Sequence, residues 1–448
     1  MKPIAILGAG LAGLGAANRL KEEGVPAVVY EKRQWVGGQA ASYTYPGGWI
    51  FDDGPHISFT KNERMRGLFA SNIEGNFLTI RANVNNLWKS HWIKHPAQAN
   101  LYGIPTQLLI KILEEMIRAQ FIEYGEIRNY KDWLFASFGR TFSETFPMEY
   151  GWKFHTTTAD NMTTDWVGPR LYRADLGEIL RGALEPDAGD VHYISDFRYP
   201  ANGGFIAFVD PLARNTDTRF GMDAVSISLR DKCIRFADGR IEYFDHLISS
   251  LPLPELILHI EETTGDVRNA AERLACSTCV IVDVGIDRED ISPAHWSYFY
   301  EREYSFSRLS FPHMFSPGNV PPGAGSIQAE VYFSRKYRPL TVSPESLIDV
   351  VIDDLRRCGL IRDSDQVLMK AAHVVPYANV IFDLERPAAL ESIRAFLADA
   401  GIETCGRYGE WNYSWTDESF MSGEQAAQRI IDRIVTGSVP PAGEEGFQ

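Results

Sequence analysis

The first thirty-one residues set two short apolar runs around one amphipathic stretch. Ile4-Ala5-Ile6-Leu7 is unbroken apolar sequence, closed by the turn Gly8-Ala9-Gly10-Leu11-Ala12-Gly13. Leu14 to Glu23 carries apolar residues at helical spacing, and Ala27-Val28-Val29-Tyr30 is a second apolar run ending at Glu31. Short apolar runs bounded by turn residues read as buried strands, and a 3.6-residue period reads as a helix. The pattern predicts a βαβ unit at the start of the chain.

Further along, helical periodicity predicts helices at Leu108 to Tyr124, Tyr130 to Phe146, Phe205 to Asn215, Ser343 to Cys358, Ala388 to Ala400 and Gly423 to Val435. Ala224 to Leu229 and Cys233 to Phe236 read as hairpin strands before the turn Asp238-Gly239. His246 to Ser250 reads as a strand returning to the first sheet. From Val280 to about Arg338, strand-like runs alternate with Pro/Gly turns, which predicts an antiparallel sheet. The expected fold class is α/β: a Rossmann-type nucleotide-binding domain, an antiparallel-sheet substrate domain and a helical insertion. The nucleotide-binding domain is expected in three pieces, 1–90, 196–275 and 386–448. The helical insertion is expected at 91–195 and the sheet domain at 276–385. The acidic, proline-containing tail from Gly437 to Gln448 is expected to be loose.

The turn chemistry adds a ligand. Gly8 permits a tight turn off the strand, Gly10 lets backbone approach a pyrophosphate, and Gly13 lets the helix pack on the strand. The helix N-terminus, which Ala12 precedes in the glycine turn, offers N–H groups and a partial positive charge to phosphates. Glu31 ends the second strand, where a carboxylate accepts hydrogen bonds from ribose hydroxyls. A second glycine pair, Gly37-Gly38, follows within Glu31-Lys32-Arg33-Gln34-Trp35-Val36-Gly37-Gly38-Gln39-Ala40 and favours FAD over NAD. Lys32, Gly38, Gln39 and Ala40 are therefore expected along the cofactor. Near the other end, Gly406 and Arg407 predict a close turn beside a ligand. Ser419 and Phe420 lead towards a helix whose N-terminus could face the flavin, and Asp417 is either a ribityl acceptor or only a cap.

The net charge of −15 argues against nucleic acid as a partner, though local arginines can still hold an anionic substrate. No apolar run reaches membrane-span length and no signal peptide is evident, so a cytoplasmic enzyme is expected. The five cysteines, Cys233, Cys276, Cys279, Cys358 and Cys405, are scattered. Cys276 and Cys279 have CxxC spacing without a second pair, which favours buried thiols over zinc or redox chemistry. No metal site, Ser-His-Asp arrangement or close acid pair stands out; a flavin supplies its own reactive atom.

Several segments resemble one family, the UDP-galactopyranose mutases and their relatives in the amine oxidase and protoporphyrinogen oxidase superfamily. Phe51-Asp52-Asp53-Gly54-Pro55-His56-Ile57 is similar to the mutase GPHI segment. Lys94 to Leu101 resembles an aromatic-Pro-x-Gln-x-Asn-Leu segment. Trp133 to Gly139, Tyr150 to Phe154 and Trp166 to Arg170 look like the helical domain. Phe197 to Gly204, Ser249 to Pro254, Phe306 to Ser310 and Gly406 to Tyr413 continue the match. The chain departs from the family at His95, where the family has Tyr or Phe. No tryptophan-bearing loop is found between Trp166 and Phe197, and Asp52-Asp53 adds acid near the flavin.

The resemblance implies roles. His56 would lie by the isoalloxazine, through backbone or ring, or be structural. The backbone at Val225 would contact adenine. Arg170 and Arg308 would hold a substrate diphosphate, with Tyr377 and Tyr413 near the phosphates. The first implied function is pyranose–furanose isomerisation of a nucleotide sugar, in which reduced flavin N5 attacks the anomeric carbon as the nucleotide diphosphate leaves. The second is an FAD-dependent oxidoreductase taking hydride from an amine or a sugar. A flavin-binding protein without turnover is the third. A homo-oligomer stays open.

Overall fold

The computed structural model describes residues 2–122, 125–168, 171–186 and 194–436. The helix expected to reach Tyr124 ends at Phe121, and Tyr124 itself lies outside the described residues, as does the tail 437–448.

The opening βαβ unit forms as its pattern predicts. Ile4–Leu7 lies at the centre of a five-stranded parallel sheet, between Leu247–Ser249 and Ala27–Glu31. Glu403–Thr404 and Asp217–Phe220 form its two edges. The central strands are buried on both faces, which is why they read as unbroken apolar runs. The helix Leu11–Glu22 covers one face, and the last helix, Thr416–Thr436, packs against it. Small residues set how close they come. A Cβ placed on Gly423 would stand 1.8 Å from the carbonyl oxygen of Ala12, and one on Gly15 would stand 2.1 Å from that of Phe420. The two ends of the described chain are thus bound face to face.

The predicted antiparallel sheet has seven strands. Its order is Val367–Ile381, Ala275–Ile286, Gly325–Ser334, Arg308–Ser310, Trp296–Phe299, Val84–Trp88 and His91–Lys94. Trp296–Phe299 and Val84–Trp88 run parallel; the other neighbours are antiparallel. The last two strands come from the N-terminal third and carry polar residues, Asn85, Asn86 and His91, that hid them in the pattern. The helices Thr106–Phe121, Tyr130–Thr145, Pro147–Phe154 and Leu176–Leu184 form a layer beside this sheet with their own aromatic core. Gly139, at φ 73°, breaks the helical geometry of Tyr130–Thr145, a kink the periodicity did not reveal.

Two predicted helices differ. Phe205 to Asn215 is not one α-helix but two tight 3₁₀ turns, Phe205–Phe208 and Asp210–Ala213, with Pro211 opening the second. The last helix starts at Thr416 rather than Gly423. Glu418 accepts from the Trp415 amide at 2.7 Å, and two acids in the first turn complement the helix dipole. All five cysteines are free, with Cys233, Cys279 and Cys405 buried and Cys276 and Cys358 partly so. Among the described residues no helix is long and apolar enough to cross a membrane.

Candidate active site

The C-terminal ends of the parallel strands open into a cleft. Its walls include Gly8, Gly10, Ala12, Glu31, Lys32, Gly38, Gln39 and Ala40 from the start of the chain, and Gly406, Arg407, Thr416 and Ser419 from its end. Gly8 has φ +93°, and a Cβ there would strike Ser250 Oγ at 2.5 Å. Gly10 has nothing nearer its would-be Cβ than the Cα of Gly38, at 3.8 Å, so a ligand can approach the bare backbone. Gly13 stays out of the cleft; a Cβ there would meet the Gly8 carbonyl at 1.9 Å, so its role is close packing of helix on turn. The second glycine pair locks onto the first turn, with the Gly37 amide donating to the Ala9 carbonyl at 2.9 Å. Glu31 accepts from the amides of Ala9 (2.8 Å) and Arg33 (2.9 Å), which fixes its carboxylate at the strand end.

Arg407 stands where the cleft meets a smaller junction cavity. Its guanidinium lies 4.3 Å over the Tyr413 ring, and its Nε is buried without a hydrogen-bond partner. Tyr408 donates to Gln39 Oε1 at 2.6 Å, tying the two termini together at the same place. The junction is also lined by His56, Asp53, Arg308, Glu330, Tyr332 and Tyr413. His56 Nδ1 lies 3.0 Å from the Gly54 carbonyl.

Beyond the junction lies a second cavity, of about 250 Å³ against about 260 Å³ for the cleft. Aromatic rings make most of its wall, among them Phe146, Tyr150, Phe154, Trp166, Tyr298, Tyr300 and Tyr413. Burial raises the phenols of Tyr150, Tyr298 and Tyr300, so they remain donors. Arg308 is the one cationic side chain among the described lining residues. It is gripped by Glu330, with Nε–Oε2 and Nη2–Oε1 both at 2.7 Å, while Tyr332 donates to the same carboxylate at 2.9 Å. His155 also lines the cavity; burial drops its pKa to about 3, so it is neutral. His95 faces Tyr298 and contacts Asn86 Oδ1 at 2.9 Å.

The structure gathers most of the expected residues but not all. Tyr413 and Arg308 share the second cavity and the junction. Tyr377 lines the cofactor cleft instead, packed between Tyr408 and Trp411. Val225 turns outward, 46% exposed, at a bulge in its strand; Met222, Asp223 and Ala224 line the cleft. Phe420 is core, buried with the first helix, and Asp417 does not line the cleft although Ser419 does. The last two differences, at Phe420 and Asp417, follow from the earlier helix start, which turns only one face of residues 416–420 inward. Asp52 is structural too: its carboxyl binds Ser42 (2.6 Å), Tyr199 (2.6 Å) and the Phe205 amide (2.9 Å), and only Asp53 faces the junction. Arg170 lies outside the described residues. Glu330 and Tyr332 escaped the sequence reading, although an acid inside the apolar run Gly325–Ser334 is itself a signal of a buried partner.

A family model for flavin containing amine oxidoreductases matches residues 11–431. The chain belongs to this family. Its cofactor is FAD, and the cleft fits that group: a bare glycine backbone at a helix N-terminus, a carboxylate at the second strand end and an unpartnered guanidinium N–H. Among curated members, the chain is 38% identical over 88 residues to 15-cis-phytoene desaturase of Synechococcus elongatus. It is 41% identical over 70 residues to phytoene desaturase (lycopene-forming) of Pantoea ananas. These alignments cover 20% and 16% of this chain, and only 17% and 14% of those relatives' lengths. Solved structures match along nearly the whole chain. A reduced UDP-galactopyranose mutase superimposes with TM-score 0.90 and 26% identity over 96% of both chains. Putrescine oxidase bound to putrescine gives 0.63 and 14% identity, covering 96% of this chain and 99% of that one, a likeness of fold. The CLA-producing fatty acid isomerase of P. acnes gives 0.66 and 14% over 96% and 98%, again of fold.

Proposed function

We propose that this flavoenzyme interconverts the pyranose and furanose forms of a nucleotide-diphosphate sugar. The observation that carries the reading is the second cavity, which meets the FAD cleft beside Arg308 and is walled by rings and phenols. The likeness to the reduced mutase supports it. Bound FAD supplies an electron-rich nitrogen when reduced and a hydride acceptor when oxidised. The protein binds and orients. Two of the five guanidinium donors of Arg308 serve Glu330, which leaves donors for phosphate oxygens. Tyr413, Tyr150 and Tyr298 add neutral O–H donors, and the aromatic wall stacks on flat rings and excludes water. Arg170 enters as a second phosphate ligand on resemblance alone. His56 and Arg407 orient the flavin end of the junction. Tyr377, placed in the cleft, is assigned to the cofactor side.

A second reading, FAD-dependent oxidation of an amine or sugar-derived substrate, is favoured by one observation. Glu330 neutralises the cavity's arginine, which suits a substrate without phosphate charge. Incubating the holoenzyme with UDP-galactose, UDP-galactofuranose and other nucleotide sugars, with and without dithionite, separates the two. Isomerisation that requires reduced flavin, without net oxidation, is the expected result. Oxygen consumption, or stoichiometric flavin bleaching by the substrate, overturns it in favour of the second reading.

A further inference from the structure

Asp53 sits at the turn after the strand Trp49–Asp52, and its buried side chain faces the junction. Its Oδ1 lies 3.1 Å from Nε2 of His373, on the edge strand Val367–Ile381. The other ring nitrogen, Nδ1, stands 3.8 Å from Oδ2 of Asp283 and has no hydrogen-bond partner. Asp283 is wholly buried and accepts from Tyr45 Oη (3.2 Å) and Gln328 Nε2 (2.9 Å). Gln328 also donates to the Asp52 carbonyl at 2.8 Å, which ties Asp283 to the turn that carries Asp53. His373 is the most exposed of the three, with a fifth of its side chain reaching solvent although Nδ1 itself is buried.

This arrangement has two protonation states with opposite contacts. A neutral imidazole that donates from Nε2 to Asp53 turns the lone pair of Nδ1 towards a carboxylate. A proton on Nδ1 makes a cation between two anions. Burial draws the His373 pKa down, but the hydrogen bond to Asp53 and the charge of Asp283 outweigh it, so the net direction is up. The other groups facing the ring are Tyr43, whose ring centroid is 4.8 Å away, Tyr45 and Arg33. Burial raises both phenols, so neither ionises near neutral pH, and Arg33 remains a cation. Only the imidazole and its two carboxylates can change.

We propose that Asp53, His373 and Asp283 form a relay that couples the charge on bound FAD to a proton from solvent. When an external two-electron reductant loads the cofactor, the added negative charge at the junction raises the proton affinity of His373 through Asp53. His373 then takes up at Nδ1, which is itself buried, one proton drawn from the surrounding solvent, and gives it back on reoxidation. The N–H bond forms as an O–H bond of the solvent donor breaks, and the two electrons come from the external reductant. His373 is a positioning residue, acting on the junction through Asp53. The relay serves isomerase and oxidoreductase alike, so it stands apart from the choice between them.

Redox titration of the holoenzyme with dithionite and mediator dyes across neutral pH tests the relay. One extra proton per two electrons is a tenfold change in the reduction equilibrium per pH unit, about 30 mV. The pH slope of the midpoint potential is expected to fall by that amount in His373→Gln and in Asp53→Asn, within the range where His373 titrates. Unchanged slopes in both overturn the proposal. A measurement on the wild type does not depend on how the variants fold. In ¹⁵N-histidine-labelled holoenzyme, at a pH where His373 is neutral in the oxidised protein, its Nδ1 signal should move to the protonated position on reduction. A signal that stays in place overturns the relay.

Discussion

Arg308 and Glu330 face each other across neighbouring strands in a two-pronged ion pair, both bonds 2.7 Å, with the carboxylate almost fully buried. The pairing follows from register, because Arg308 is directly opposite Glu330 in the ladder. A buried carboxylate needs a partner, and here the partner is also the residue expected to meet the substrate.

Removing either half of this pair should have different effects on ligands and similar effects on stability. Glu330→Gln frees the guanidinium and should raise affinity for UDP about tenfold, while Arg308→Ala should lower it. Each should lose about 3 kcal/mol of unfolding free energy, because a buried charge is left without its partner. Isothermal titration with UDP and urea unfolding measure the two effects. Unchanged UDP affinity in Arg308→Ala would remove the diphosphate role.

His155 makes the fold sensitive to acid. Its ring is buried and neutral down to about pH 3, whereas an unfolded histidine takes a proton below about pH 6.5. The unfolded chain therefore binds the extra proton, and stability falls with pH by about 1.4 kcal/mol per unit over that window. His155→Phe should flatten the acid limb by that slope and leave neutral pH without a protonation effect. Urea midpoints measured against pH decide it; parallel acid limbs in the two proteins would contradict the argument.

Arg407 should matter more for the cofactor than for the fold. Its unpartnered Nε and its stacking on Tyr413 leave it free to bind a ligand at the mouth of the junction. Arg407→Ala is expected to weaken FAD binding at least about tenfold, the cost of one charge-assisted hydrogen bond. Flavin retention on dialysis, followed by absorbance, reports it, and full retention would count against the assignment.

Gly423→Ala tests the clasp between first and last helices. The added methyl would overlap the Ala12 carbonyl, so the helices must separate. A loss of about 2 kcal/mol or more is expected, together with reduced flavin content. The same substitution at an exposed helix position would be stabilising, so a rise in thermal midpoint would refute close packing here.

The parallel sheet was legible because its strands are buried on both faces and its turn is spelled in glycines. The large sheet was legible only where its strands are apolar; Val84–Trp88 and His91–Lys94 hide behind polar side chains, such as Asn86, which donates to the Ile93 and Lys94 carbonyls. In the last helix, Gly423 read as a boundary because glycine is a poor helix former, yet it lies seven residues inside, required by contact with another helix. That one misplaced start sent Phe420 and Asp417 to the wrong side. Arg308 was found through its neighbours in sequence, but Glu330, twenty-two residues on, is its neighbour only in the folded sheet. Asp53 and His373 are farther apart still, 320 positions, and no local pattern could join them.

The clasp between residues 8–40 and 406–419 bears on how the protein is made. Residues 406–419 are the last part of the cleft to be synthesised, so a nascent chain carries its other walls before this one exists. FAD therefore meets its complete site only once residues 406–419 have emerged, and until then the side of the first helix that meets the last one is uncovered. Closing so long a loop is slow and entropically costly, and the cofactor, bridging both walls, rewards closure only at the final step. Supply of FAD during expression is thus expected to govern how much chain reaches the native state.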